Sequence, residues 1–212
     1  MQKLLFVLLI SFQSFPQQSS ISKAVNYLSD FIASDYFLEL KNENSDLALV
    51  DSIYLRALEF YEYDYNEALL ALTFATIPYK EVPIVIPFVR TTVYYPLVAA
   101  DDSTFNKKNQ NLPHKLFYDT PDNEYGDKDK LAHFFGNAYI GYAENIFDLA
   151  GSFGYFVEAF EEDFKVQSKI DLRDLDVNNY GKIFGECLEE NRNIRPSEII
   201  LIRSLRYSMF TQ

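Results

Sequence analysis

Polar and small residues recur together at helical spacing on separate segments of this chain, and this repetition constrains the fold more than any other feature. At roughly 100° of rotation per residue, Asp129 and His133 of Asp129-Lys130-Leu131-Ala132-His133-Phe134 share one helical stripe. Asp174, Asn178, Gly181 and Gly185 share another. Between these segments, Glu158 lies beside Gly151 and Gly154, about 140° from the stripe of Phe153, Phe156, Val157, Phe160 and Phe164. Charge opposite an apolar stripe is ordinarily the solvated side of an amphipathic helix. Glycine argues otherwise. In an exposed helix interior it costs about 1 kcal/mol relative to alanine, so its recurrence at Gly136, Gly154, Gly181 and Gly185 points to backbones in close approach. Helices that pack this way would press carboxylate, imidazole and amide into a common centre.

The rest of the chain fits one mainly α domain, a helical bundle with an irregular or short-β, proline-rich central segment. Apolar residues at helical spacing (Val25, Leu28, Phe31, Ile32, Phe37, Leu38) begin a run of helices that continues over 46–60 and 64–77. Within an N-terminal region of 20–101, the texture changes at Pro78, where four prolines interrupt β-branched and aromatic runs such as Thr91 to Tyr95. Residues 102–127, polar and holding Pro113 and Pro121, are expected to be a surface loop. Helices return over about 128–148, 150–166, 174–192 and 196–209, in a core of 128–212 that packs with the N-terminal region. The last is expected to be a packing helix with a basic outer edge formed by Arg203 and Arg206. Cys187, beside Phe184 and Leu188, is expected in the core.

Met1-Gln2-Lys3 and the apolar run Leu4 to Phe12 have the charge and length of a secretory signal peptide rather than a membrane span, with cleavage expected among Ser14 to Ser20 and residues 1–19 assigned to the leader. Export to the periplasm or cell envelope is the expectation. The acidic excess, a formal net charge of −12, sets nucleic acid aside as a partner.

The motif series Asp129-Lys130-x-x-His133-Phe134, Gly154-x-x-x-Glu158 and Arg173-Asp174-x-x-x-Asn178-x-x-Gly181-x-x-x-Gly185 resembles that of VanZ-like proteins and the related YfiM-type envelope proteins. The resemblance covers about residues 127–189. It implies a bacterial, envelope-associated protein. VanZ-like proteins usually carry membrane-spanning segments, whereas this chain is too polar for them after its leader, which favours the exported YfiM-like branch.

Three kinds of function fit these residues. In a structural centre, Asp129 or Glu158 pairs with Lys130 or Arg173 and Asn178 bridges helices by hydrogen bonds. In a hydrolase acting on an envelope lipid or glycan, His133 is general acid or base, Asp129 or Asp174 orients it, and Glu158 is a second acid or metal ligand. In a binder, the same pocket holds the lipid or glycan without turnover. A divalent cation, Mg²⁺ or Ca²⁺, on Asp129, Glu158 and Asp174 is a further alternative. Asp176-Val-Asn178-Asn-Tyr180-Gly181 begins like a calcium loop, but Tyr180 and Cys187 occupy two positions that should supply oxygen ligands.

Overall fold

Side-chain caps set where the helices begin. Ser19, Ser34, Ser45 and Asp64 each accept a hydrogen bond from the backbone N–H three residues on, and Asp101 accepts from Ser103 and Thr104; such caps satisfy donors that a helix start leaves unpaired. The computed structural model describes residues 19–86, 91–144 and 172–210. Within them lie α1 (Ser20–Ala33), α2 (Asp35–Glu43), α3 (Asp46–Phe60), α4 (Tyr65–Thr76), β1 (Glu81–Ile86), β2 (Thr91–Pro96), α5 (Asp102–Asn111), α6 (Lys130–Glu144), α7 (Leu172–Glu190) and α8 (Pro196–Phe210). The architecture is mainly α, one helical domain carrying a two-stranded antiparallel hairpin.

Helix α4 is the hub. Ala68, Leu69, Ala71, Leu72 and Ala75 are fully buried, with α1, α3 and α6 packed around them. Helix α6 is enclosed in turn, because α7 lies along its other side. Leu131, Phe134, Phe135 and Ala138 are all buried, so α6 has no solvated face over its first turns. Phe184 of α7 closes the core against Phe134 and Tyr54, at ring centroid distances of 5.4 and 5.6 Å. Burying an aromatic of this size contributes about 1.5–3 kcal/mol.

Three expectations are corrected here, in whole or in part. Residues 102–111 form α5 rather than loop, because Asp101 caps the turn and Phe105 and Lys108 give the segment a buried face. The Lys108 ammonium donates to the carbonyls of Ala75 (3.0 Å) and Ile77 (2.7 Å), closing the C-terminal end of α4. Helix α8 meets its expectation in part: Ile199 and Ile200 are buried and Arg206 is exposed, but Arg203 is buried while Leu201, Ile202 and Leu205 are about half exposed. Cys187 is only partly buried. Gly151, Gly154 and Glu158, with the whole of the helix expected over 150–166, lie outside the described residues.

Candidate functional site

The glycine stripe does what its spacing implies. A Cβ on Gly181 would lie 2.3 Å from the Phe134 carbonyl oxygen, and one on Gly185 would lie 2.1 Å from that of Ala138. Gly141, not singled out from the sequence, is its counterpart on α6, 2.5 Å from the Lys182 carbonyl oxygen. Gly136 is buried, but the seam runs through Gly141. This close approach brings the first turns of α6 and α7 into side-chain contact.

Asp129, Lys130, His133, Asn137, Asp174 and Asn178 meet there. The Lys130 ammonium lies 2.9 Å from Asp129 Oδ2 and also pairs with Asp174 Oδ1. Burial opposes a charged Lys130, yet Asp174 and Asp129 hold its pKa above the ordinary lysine value. One Asn137 Nδ2 hydrogen goes to the His133 backbone carbonyl and the other to Asn178 Oδ1, each at 2.9 Å. Asn178 Oδ1 is thereby an acceptor, so His133 Nδ1, 2.9 Å away, is the donor and carries the proton. Nε2 then faces Asp174, with Oδ1 at 3.8 Å. Burial pushes the His133 pKa below its ordinary value of 6.5 against the attraction of Asp174, which leaves a neutral ring at neutral pH.

The centre is buried at His133 and Lys130 and partly exposed at its two carboxylates. The His133 and Lys130 side chains are 3 % and 5 % exposed, whereas those of Asp174 and Asp129 are 17 % and 24 % exposed. Asp129 Oδ1 is buried with no hydrogen-bond donor among the described residues. Ligand atoms of Asp129, His133 and Asp174 lie within 4.8 Å of one another. Two carboxylates and an imidazole of this tautomer form a donor set for a divalent ion that accepts oxygen and nitrogen together. The imidazole draws the preference from Mg²⁺ and Ca²⁺ toward ions such as Mn²⁺ and Zn²⁺.

Arg173, expected to pair with Asp129 or Glu158, makes its described ion pairs in a second network. Its guanidinium lies 2.5 Å from Asp127 Oδ1 and 3.1 Å from Asp119 Oδ2. Arg203 takes the other side of Asp119, at 2.7 and 3.2 Å, and reaches Asp176 Oδ2 at 2.7 Å. Burial alone would raise the Asp119 carboxyl, but Arg203 and Arg173 hold it below the usual carboxylate range. Asp127 is wholly buried and also accepts from the Leu116 and Phe117 backbone N–H groups at 3.2 and 3.3 Å. Asp119 and Asp127 carried no signal in helical spacing, because they precede α6, and spacing placed Arg203 on an outer edge rather than in this network. The calcium-loop resemblance at Asp176 is not realised: its residues lie inside α7, and Asp176 pairs with Arg203. His114 serves the loop, its backbone N–H donating to Asp46 Oδ2 at 2.8 Å.

Comparison of the chain with protein-family models, curated proteins and solved structures finds no match.

Proposed function

We propose that this is an exported envelope protein of VanZ-like or YfiM-like type whose Asp129–His133–Asp174 centre binds a divalent cation, with Lys130 as the resident counter-charge. The observation that carries this reading is the convergence of two carboxylates on a tautomer-fixed, neutral imidazole within 4.8 Å. The buried Asp129 Oδ1, with no donor among the described residues, adds to it, since such an oxygen gains most from a cation. Lys130 stands where the ion would attract both carboxylates, so binding requires its ammonium to move aside. Affinity is consequently modest in the native chain and strengthens when the lysine is removed. Export rests on the sequence alone, on Lys3 and the apolar run Leu4 to Phe12.

Titration calorimetry with Mn²⁺, Zn²⁺, Mg²⁺ and Ca²⁺ on wild type and Lys130→Met tests the cation site. Loss of the competing ammonium is expected to tighten Mn²⁺ or Zn²⁺ binding by roughly 10–100-fold, equivalent to about 1.4–2.8 kcal/mol. Asp174→Asn should abolish it. Absence of binding to both wild type and Lys130→Met would sink the reading and leave the centre as a structural network.

A catalytic role uses the same residues. It is favoured by one observation: His133 is held neutral and oriented by Asn178, the condition a general base needs at neutral pH. Hydrolysis of an envelope lipid or glycan that vanishes in both His133→Gln and Asp174→Asn would establish it.

A further inference from the structure

Helix α5 closes the ends of other helices with its own side chains. Lys108 Nζ donates to the Ala75 and Ile77 carbonyls at the end of α4, Asn109 Nδ2 to the Pro78 carbonyl at 3.0 Å, and Asn111 Nδ2 to the Ile32 carbonyl near the end of α1 at 2.8 Å. In return, Lys41 of α2 donates to the Gln110 and Asn111 carbonyls at the end of α5, at 3.0 and 3.2 Å. Carbonyls at a helix end have no partner within their own helix, so these side chains tie α5 to α1, α2 and α4. Lys108 differs from the asparagines in one respect: its number of donors changes with pH.

An ammonium carries three N–H donors and a neutral amine two. Lys108 is 1 % exposed, and its hydrogen bonds reach two acceptors among the described residues. The neutral amine therefore matches the site, whereas the ammonium turns its third N–H toward the Phe105 ring, whose centroid is 4.6 Å from the nitrogen. A ring face attracts a cation, but this one is shared, with Lys80 Nζ 4.9 Å from the same centroid. The carboxylates on the surrounding elements are engaged elsewhere. Asp102 pairs with Lys80, Asp101 caps α5, and Asp30 of α1 accepts from the Thr104 hydroxyl at 3.4 Å. Tyr79 in the turn after α4, Lys41 of α2 and Lys107 of α5 add no acid. Burial and the Lys80 charge both act against a proton on Lys108 and bring its pKa down to about 7. The α4 dipole favours a cation at this end, but that is a smaller effect than withdrawing an ammonium from water with no carboxylate to balance it.

We propose that Lys108 is an acid-released latch: when its amine takes up a proton, the C-terminal half of α5 loosens from the end of α4 and frees residues 77–80, from which the hairpin leaves. The added proton brings a charge and an unmatched donor into a closed site, and the state that accommodates both is one in which the side chain reaches water. The start of α5 is held separately by Asp101, so the helix opens from its C-terminal end. Asn109 and Asn111, one and three residues on, are drawn away with it.

The sign of the pH dependence follows from the two states. The unfolded chain keeps the Lys108 proton up to the ordinary lysine value of 10.5 and the folded chain only to about 7, so unfolding takes up a proton between these values. Stability is lowest below 7 and rises from there toward 10.5. In denaturant unfolding, the wild-type unfolding constant should fall by up to about tenfold per pH unit above 7 relative to that of Lys108→Met. Carbon-13 labelling of lysine Cε in the full chain should show one resonance titrating near 7 that is absent from Lys108→Met and Lys108→Arg. Hydrogen exchange at about pH 6 and about pH 8.5, each corrected for its intrinsic rate, locates the opening. The Leu112 amide, which donates to the Lys108 carbonyl, should be at least roughly tenfold less protected at the lower pH, and the α3 amides should be unchanged. Lys108→Met should remove that difference. The titration and the wild-type exchange stand even where the methionine variant does not fold. Absence of any lysine titrating below about pH 9 would overturn the proposal. So would Leu112 protection that is the same at both pH values, or a difference that persists in Lys108→Met.

Discussion

His133 shows how a single amide can determine a ring's chemistry. Asn137 spends its two N–H donors on the His133 carbonyl and on Asn178 Oδ1, and that choice propagates to the imidazole tautomer. Because burial lowers the folded-state pKa below 6.5, the unfolded chain binds the extra proton first as pH falls. The His133 contribution to stability is therefore intact above 6.5 and is lost as pH falls below that value toward the folded pKa. Replacing Asn178 with Asp puts a negative charge beside Nδ1–H, and the His133 titration followed by NMR should move upward. Asp127 carries a different load. It is wholly buried and holds Arg173 together with two backbone N–H groups, so Asp127→Ala should cost about 3–5 kcal/mol in denaturant unfolding. A loss under about 1 kcal/mol would mean that water replaces the carboxylate.

At the scale of elements, the α6–α7 seam decides whether the centre exists. Gly181 and Gly185 meet backbone carbonyl oxygens of α6, not the flexible end of a side chain, so an added methyl can be accommodated only if the helices part. Gly185→Ala gains about 1 kcal/mol of helix propensity, and the clash should exceed it, for a net loss of about 1–3 kcal/mol. Separation of the helices should also break the His133–Asn178 hydrogen bond, visible as a shift in the His133 ring signals. A variant as stable as wild type would show that α7 slides freely along α6. Helical spacing revealed that Asp174, Asn178, Gly181 and Gly185 share one neighbour, since it depends only on backbone rotation. It was silent on Gly141, whose role exists only through Lys182 on the other helix. The α8 arginines show the same limit: Arg203 turns inward because Asp119 and Asp176 wait there.

For the whole molecule, the hairpin packs on none of the described helices. The core gathers α1, α3, α4, α6 and α7, and the hairpin leaves it at Lys80 and returns at Leu97, two residues joined by a 2.8 Å backbone hydrogen bond. Replacing residues 81–96 with a short glycine-serine linker should therefore leave the thermal midpoint within about 4 °C of wild type, the shift expected of 1 kcal/mol or less. A larger drop in calorimetry would mean that the hairpin supports the bundle. Much of this architecture is written locally. Capping serines and aspartates, apolar periodicity and the glycine stripe each act within a few residues, so sequence alone determined a mainly α chain, an extended central segment and the faces that bear Asp129, His133, Asp174 and Asn178. Tertiary structure alone decided that α6 is enclosed between α4 and α7, that Lys130 bridges Asp129 and Asp174, and that Asp119, Asp127 and Arg203 form a network. Each of these depends on residues distant in sequence being brought together, and burial and ion pairing are set by which neighbour arrives rather than by the spacing of the residues themselves.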